Sequence, residues 1–82
     1  MTAHQRYILA LTAAAAADDP DGCASAYQVA CMEADTSLRR IATINQTLSR
    51  LAQAAYVEQG GWTPAHSPRW RLTEAGREVE RP

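Results

Sequence analysis

Along residues 36–59, TSLRRIATINQTLSRLAQAAYVEQ, the apolar positions Leu38, Ile41, Ile44, Leu48, Leu51, Ala52 and Ala55 recur at spacings of three and four. At about 100° per residue they share one sector of a helix. Arg39, Thr43, Gln46 and Arg50 share the opposite sector, with Arg40 and Thr47 on its flanks. No Pro or Gly interrupts the run before Gly60, so the pattern predicts one helix of about 20 residues, roughly 30 Å long. Gly60 and Gly61 suit a left-handed C-terminal cap, although Tyr56, Val57 and Glu58 also fit the start of a strand. A second register stays open: a short helix over residues 37–43, then another over 45–57 with Asn45 as N-cap. In both registers Gln46, Thr47 and Arg50 are expected at the surface.

The segments before this run carry weaker patterns. Residues 4–17 are rich in Ala, the residue with the best intrinsic helix propensity, and predict a first helix with Tyr7, Ile8, Leu11, Ala14 and Ala15 inward. Asp18-Asp19-Pro20-Asp21-Gly22 stops it, because Pro20 disfavours helix at Asp19 and Asp-Gly is a turn signal. Residues 25–33 predict a second helix with Ser25 as N-cap. Tyr27, Ala30, Cys31 and Ala34 are expected inward, with Val29 nearby. Residues 34–36 then form a short turn, and Thr36 or Ser37 caps the long helix.

After the long helix the period changes. Two prolines and one glycine in GWTPAHSPRWRL, residues 61–72, exclude a helix. Arg69-Trp70-Arg71-Leu72 alternates, which predicts a strand with Trp70 and Leu72 inward and both arginines outward. Its expected partner is residues 56–59, with residues 63–68 as the tip of the hairpin. Thr73 caps a last short helix, residues 74–80, with Val79 available for packing and Gly76 weakening it.

The chain has 82 residues, enough for one domain with one small core, residues 1–82. All eight basic residues are Arg, and the formal net charge is −1. A basic domain is the usual footprint of a nucleic-acid protein, so the sum argues mildly against one. The distribution argues the other way. Between Thr36 and Thr73 there are five Arg and one acidic residue, Glu58, whereas Asp18, Asp19, Asp21, Glu33 and Asp35 precede that stretch. An apolar inner face and an outer face of guanidinium, amide and hydroxyl groups suit a helix lying against a polyanion and touching base edges. Two helices joined by a short turn, the second bearing that stripe, form a helix-turn-helix arrangement.

Cys23 and Cys31, read as one helix, have Cα atoms about 12 Å apart, too far for a bridge, and are expected to be small buried thiols. No metal spacing, glycine-rich phosphate loop or Ser–His–carboxylate pattern is present in the sequence, so no cofactor, metal or catalytic residue is expected and the chain reads as a non-enzyme. The first 17 residues lack a signal-peptide pattern and no run is long enough for a membrane span; a cytoplasmic protein without membrane contact is the expectation. Nothing in the sequence suggests a small-molecule effector pocket.

Two stretches carry a resemblance. Residues 48–57, LSRLAQAAYV, look like the end of a recognition helix in winged helix-turn-helix regulators of the MarR and PadR groups, with Ala55 standing where Gly is usual. Residues 69–77, RWRLTEAGR, look like their wing exit, an arginine-bearing strand followed by Leu-Thr and a Gly. The long helix exceeds the typical one by one or two turns, and the long flanking helices of larger regulators are missing. The resemblance implies a mainly α fold with a small β-hairpin: three helices, a two-stranded wing and a short C-terminal helix. It implies a transcriptional regulator, a repressor of bacterial or phage type, that binds double-stranded DNA as a homodimer. Ser37, Arg39, Arg40, Thr43, Gln46, Thr47 and Arg50 are the expected contacts on the helix, and His66, Arg69 and Arg71 on the wing. The first and last helices are the expected dimer surfaces.

Plainer readings stand beside these. Exposed helix arginines are usually only solvated, a loop His such as His66 is more often solvated than a ligand, and Trp70 at strand spacing is core, whereas Trp62 divides between packing and partner contact. A winged-helix protein-interaction module or small inhibitor that binds no nucleic acid is the rival function. A plasmid or phage replication or partition factor is a further one.

Overall fold

Thr2 starts the first helix, α1 (Ala3–Ala16), by accepting a hydrogen bond from Gln5 N on its side chain while Gln5 Oε1 accepts one from Thr2 N. This capping box satisfies two backbone donors that a helix start otherwise leaves without partners. The computed structural model describes residues 1–81. The inner face of α1 is Ile8, Leu9, Thr12 and Ala16. Tyr7 and Ala14 are exposed instead, which corrects the expected face by about one position. In an Ala-rich helix the apolar stripe is too thin to fix its own direction. Thr12 tolerates burial because its hydroxyl donates to Ile8 O at 2.7 Å, leaving no polar atom orphaned.

The acidic turn closes on itself: Asp19 Oδ2 accepts from both Asp21 N and Cys23 N at 3.0 Å. Cys23 is buried beyond this turn, outside any helix, and Cys31 is exposed; the expectation of two buried thiols on one helix fails for Cys31. The chain then forms a two-residue strand, β1 (Ala24–Ser25), too short to carry a period, and enters α2 (Ala26–Met32). Ser25 caps α2, as expected, in a second capping box with Gln28. Val29 and Ala30 point inward, but Tyr27 and Ala34 are exposed along with Cys31.

The long apolar run forms one helix, α3 (Leu38–Gln53), capped by Ser37, whose hydroxyl accepts from Arg40 N at 3.2 Å. The split register is excluded, and the helix is shorter than expected. It stops because Ala55 takes a left-handed backbone, φ 66°. Ala55 N donates to Ala52 O and Tyr56 N to Leu51 O, the double closure of a Schellman cap. Ile44, Leu48 and Leu51 are fully buried, each contributing about 1.5–3 kcal/mol relative to exposure. Leu38, at the first helical position, projects beyond the core and is 86% exposed, contrary to its expected place on the inner face.

Strands β2 (Val57–Trp62) and β3 (Pro68–Leu72) pair antiparallel, Val57 with Leu72 and Glu58 with Arg71, and the register slips between Gln59 and Trp62. Gly60 sits in that slip over Cys23, where a Cβ would lie 2.6 Å from the thiol sulfur. β1 adds to the other edge of β3, Ala24 opposite Trp70, giving the sheet order β1-β3-β2. Trp70 and Leu72 enter the core, and Trp70 Nε1 donates to Asn45 Oδ1 at 3.2 Å. Thr73 caps α4 (Glu74–Glu80) as expected, and Gly76 has a structural reason: a Cβ there would collide with the Tyr56 carbonyl oxygen. The result is a small α/β fold of four helices and a three-stranded antiparallel sheet around one apolar core, rather than a mainly α chain with only a two-stranded hairpin.

Candidate nucleic-acid interface

The turn between α2 and α3 fixes how α3 is presented. Ala34 is left-handed, φ 58°, and Ala34 N and Asp35 N donate to Cys31 O and Ala30 O. Asp35 Oδ1 then accepts from Ser37 N at 3.2 Å. α3 therefore leaves its predecessor through a turn of few residues with little freedom. Its outer face exposes Arg39, Ala42, Gln46, Ser49 and Arg50, and holds no carboxylate. Ser37 is exposed at the cap. Thr43 is half-buried and donates its hydroxyl to Arg39 O at 3.0 Å.

Thr47 does not belong to this face. It is 7% exposed, and its hydroxyl lies 3.1 Å from His4 Nε2 on α1. The step from Gln46 to Thr47 turns the helix by about 100°, enough to carry Thr47 from solvent to the α1 contact.

Three of the expected basic contacts are engaged within the chain itself. Arg40 Nε and Nη2 each donate to one oxygen of Glu33 at 2.8 Å, a bidentate pair. Tyr7 Oη adds a third hydrogen bond to Glu33 at 2.9 Å. The Arg40 hydrogen bonds, followed by the one from Tyr7, hold the Glu33 carboxyl below the usual range despite some desolvation. The same Glu33 contact raises Arg40, and it raises the Tyr7 phenol because the phenol donates to a carboxylate. Arg69 Nη2 donates to both oxygens of Asp19 at 2.9 Å, and its Nη1 lies 3.6 Å from Asp21. Asp19 titrates below the usual aspartate range, chiefly through the hydrogen bond from Cys23 N. Arg71 Nε pairs with Glu58 at 2.8 Å across the hairpin, which raises the guanidinium further. Arg40 and Arg69 are thus neutralised by acids from the segments before α3, and Arg71 by Glu58 of the facing strand. Among the described residues, Arg39 and Arg50 form no salt bridge.

The hairpin tip is closed by Thr63 N donating to Ser67 O and Ser67 N donating to Thr63 Oγ1. His66 is exposed there in a left-handed conformation, φ 61°, and its backbone N donates to Thr63 O. The tip stands beside the start of α3. Leu38 and Ile41 of α3, Tyr27 of α2, and Pro64 and Ala65 of the tip line one open groove of about 450 Å³.

No family model, curated protein or solved structure matches the chain. Sequence reasoning missed Tyr27 and Leu38, which it assigned to the interior. The signal available was position: both occupy the first turn of a helix, where an apolar side chain can extend past the packed layer. Among the described residues, no group of three or more His, Cys, Asp or Glu side chains could hold a metal ion. No helix among them is long and apolar enough to cross a membrane.

Proposed function

We propose that the chain is a winged helix-turn-helix protein that binds double-stranded DNA sequence-specifically, as a small transcriptional repressor acting as a homodimer. The observation that carries this reading is the outer face of α3: Arg39, Gln46 and Arg50 exposed, no carboxylate among them, on a helix whose start shares a groove with the β2–β3 tip. In this reading α3 is the recognition helix and the β2–β3 hairpin is the wing. Arg39 and Arg50 contact guanine edges or phosphate, and Gln46 is suited to adenine. Thr63, His66 and Ser67 of the tip approach the backbone of the duplex. Arg40, Arg69 and Arg71 serve geometry rather than contact, because their charges are already matched. Two copies of α3 about 34 Å apart would meet successive major grooves of an inverted repeat. The exposed sides of α1 and α4 are the surfaces proposed for the subunit contact.

The test is retention of duplex DNA at low salt, followed by selection of a preferred site from a random pool. Arg50→Ala is expected to lower affinity for the selected site by about 1–3 kcal/mol while leaving the unfolding midpoint unchanged. Absence of retention at low salt overturns the reading. A second reading, a protein-interaction module that touches no nucleic acid, draws on the apolar lining of the groove and the net charge of −1. Failure of retention by a folded protein would favour it.

A further inference from the structure

Thr47 departs from the habit of the other helical threonines. Thr12 and Thr43 each donate the side-chain hydroxyl to the carbonyl four residues back, a common resting place for a threonine inside a helix. Thr47 is only 7% exposed, and its hydroxyl lies instead 3.1 Å from Nε2 of His4. His4 is exposed, in the first turn of α1 and one turn before the buried Ile8. Its Nδ1 has no partner among the described residues. The ring is therefore tied to α3 through one nitrogen, and the other is open to solvent.

With Arg39 at the middle of the outer face of α3, a step of about 100° per residue puts Leu38 roughly 100° to one side and Thr47 roughly 80° to the other. The hairpin tip stands on the Leu38 side, and His4 stands on the Thr47 side. A helix seated in the major groove has a sugar-phosphate strand along each flank. The tip is placed for one strand and His4 for the other. The charged groups around the ring are few. Along α3, Thr43 and Arg50 stand one turn to either side of Thr47. Arg6 and Tyr7 follow His4 on α1. From the end of α2 comes Glu33, close enough for a charged His4 to lower its carboxyl, but already bound by Arg40 and Tyr7. β1 carries no titratable group. Arg69 of β3 and Arg77 of α4 meet the opposite end of α1, against Asp19 and beside Ala13, Ala16 and Ala17.

We infer that His4, held against α3 by Thr47, is a phosphate contact on the flank opposite the hairpin tip, and that it engages only in its protonated form. This rests on the DNA reading given above and adds to it a contact from α1. A proton taken from solvent makes both ring nitrogens donors, whichever tautomer preceded it. Nε2–H then donates to Thr47 Oγ1, and the Thr47 hydroxyl turns its own proton to Thr43 O, four residues back in the same helix. Nδ1–H is left to donate, with a positive charge behind it, to a phosphate oxygen. Histidine is the side chain whose charge changes between about pH 5 and 8, and an adjoining phosphate favours the charged form. DNA binding therefore draws in a proton and strengthens as pH falls through that window. Thr47 is a positioning residue for the ring.

The test uses the full chain and a duplex selected from a random pool, with affinity measured over a range of salt at about pH 6 and about pH 8. For the natural chain, affinity should be about tenfold higher per copy at the lower pH, the worth of one charge-assisted hydrogen bond. The slope of log affinity on log salt should steepen by about 2, one further phosphate for each copy of the proposed homodimer. His4→Gln keeps a donor but cannot take up a proton. It should lose both changes and, because His4 is exposed, keep the natural unfolding midpoint. Thr47→Val should also lose them, and Thr47→Ser should keep them. His66→Gln, which alters the other histidine, should respond to pH as the natural chain does, and the Met1 amine is common to every variant. An equal pH response of affinity and slope in the natural chain and His4→Gln overturns this inference and leaves the DNA reading standing. Absence of any DNA retention by the natural chain at either pH overturns both.

Discussion

Ala34 and Ala55 both hold left-handed backbone, φ 58° and 66°, at the ends of α2 and α3. An L-residue with a Cβ resists this conformation, and glycine does not. Each alanine therefore stores strain that the Schellman hydrogen bonds offset. Ala55→Gly should stabilise the protein by about 1 kcal/mol, raising the unfolding midpoint by about 4–8 °C for a domain of this size. Thermal melts followed by circular dichroism would measure it, and an unchanged or lower midpoint would refute the strain. Gly76→Ala should act the opposite way. Its Cβ would meet the Tyr56 carbonyl, a backbone atom already fixed by Thr73 N, and overpacking of this kind costs about 1–3 kcal/mol. Asp19 and Glu33 give stability a pH dependence. Both carboxyls titrate below their ordinary range in the folded chain. Their contribution is present above the unfolded carboxylate range, about pH 4, and is lost as pH falls through the lowered folded values. Asp19→Asn should flatten the acid limb of a stability–pH profile, and an unaltered limb would contradict the assigned hydrogen bonds.

At the level of elements, α3 joins the core and the proposed interface through opposite faces. Leu48 lies at the centre of its buried face, and Leu48→Ala should cost about 2–5 kcal/mol in denaturant unfolding. Features that depend on neighbours in sequence were legible beforehand: the caps at Ser25 and Thr73, the cap of α3 to within Thr36 or Ser37, and the alternation that buries Trp70 and Leu72. Features that depend on distant neighbours were not. Arg69 and Asp19 are separated by 50 positions, so nothing local to β3 announces that its arginine is occupied. β1 has two residues and can be recognised only through its partner strand. The Ala-rich face of α1 offered no contrast by which Leu9 and Thr12 could be preferred over Tyr7 and Ala14. Of the candidate interface, Arg39, Gln46 and Arg50 were legible because helical spacing alone fixes their direction. The engagement of Arg40 and the burial of Thr47 required Glu33 of the preceding helix end and His4 of α1.

Across the whole molecule, charge is matched more closely than the sequence suggests. The acidic turn near Asp19 and the strand residue Glu58 neutralise the arginines of the β2–β3 hairpin, leaving Arg39 and Arg50 without a salt bridge among the described residues of the proposed interface. DNA affinity should therefore depend only modestly on salt. Two such arginines in each copy of the proposed homodimer would give a slope of log affinity on log salt near −4. Arg69→Ala should leave that slope unchanged while lowering the unfolding midpoint, because it removes an internal pair rather than a phosphate contact. The most direct test of the account is a titration of isotope-labelled protein with its selected duplex, followed by amide chemical-shift changes. The account predicts that the shifts concentrate on Leu38 to Arg50 of α3 and on residues 63–67 of the hairpin tip. No shifts, or shifts confined to α1 and α4, would contradict it.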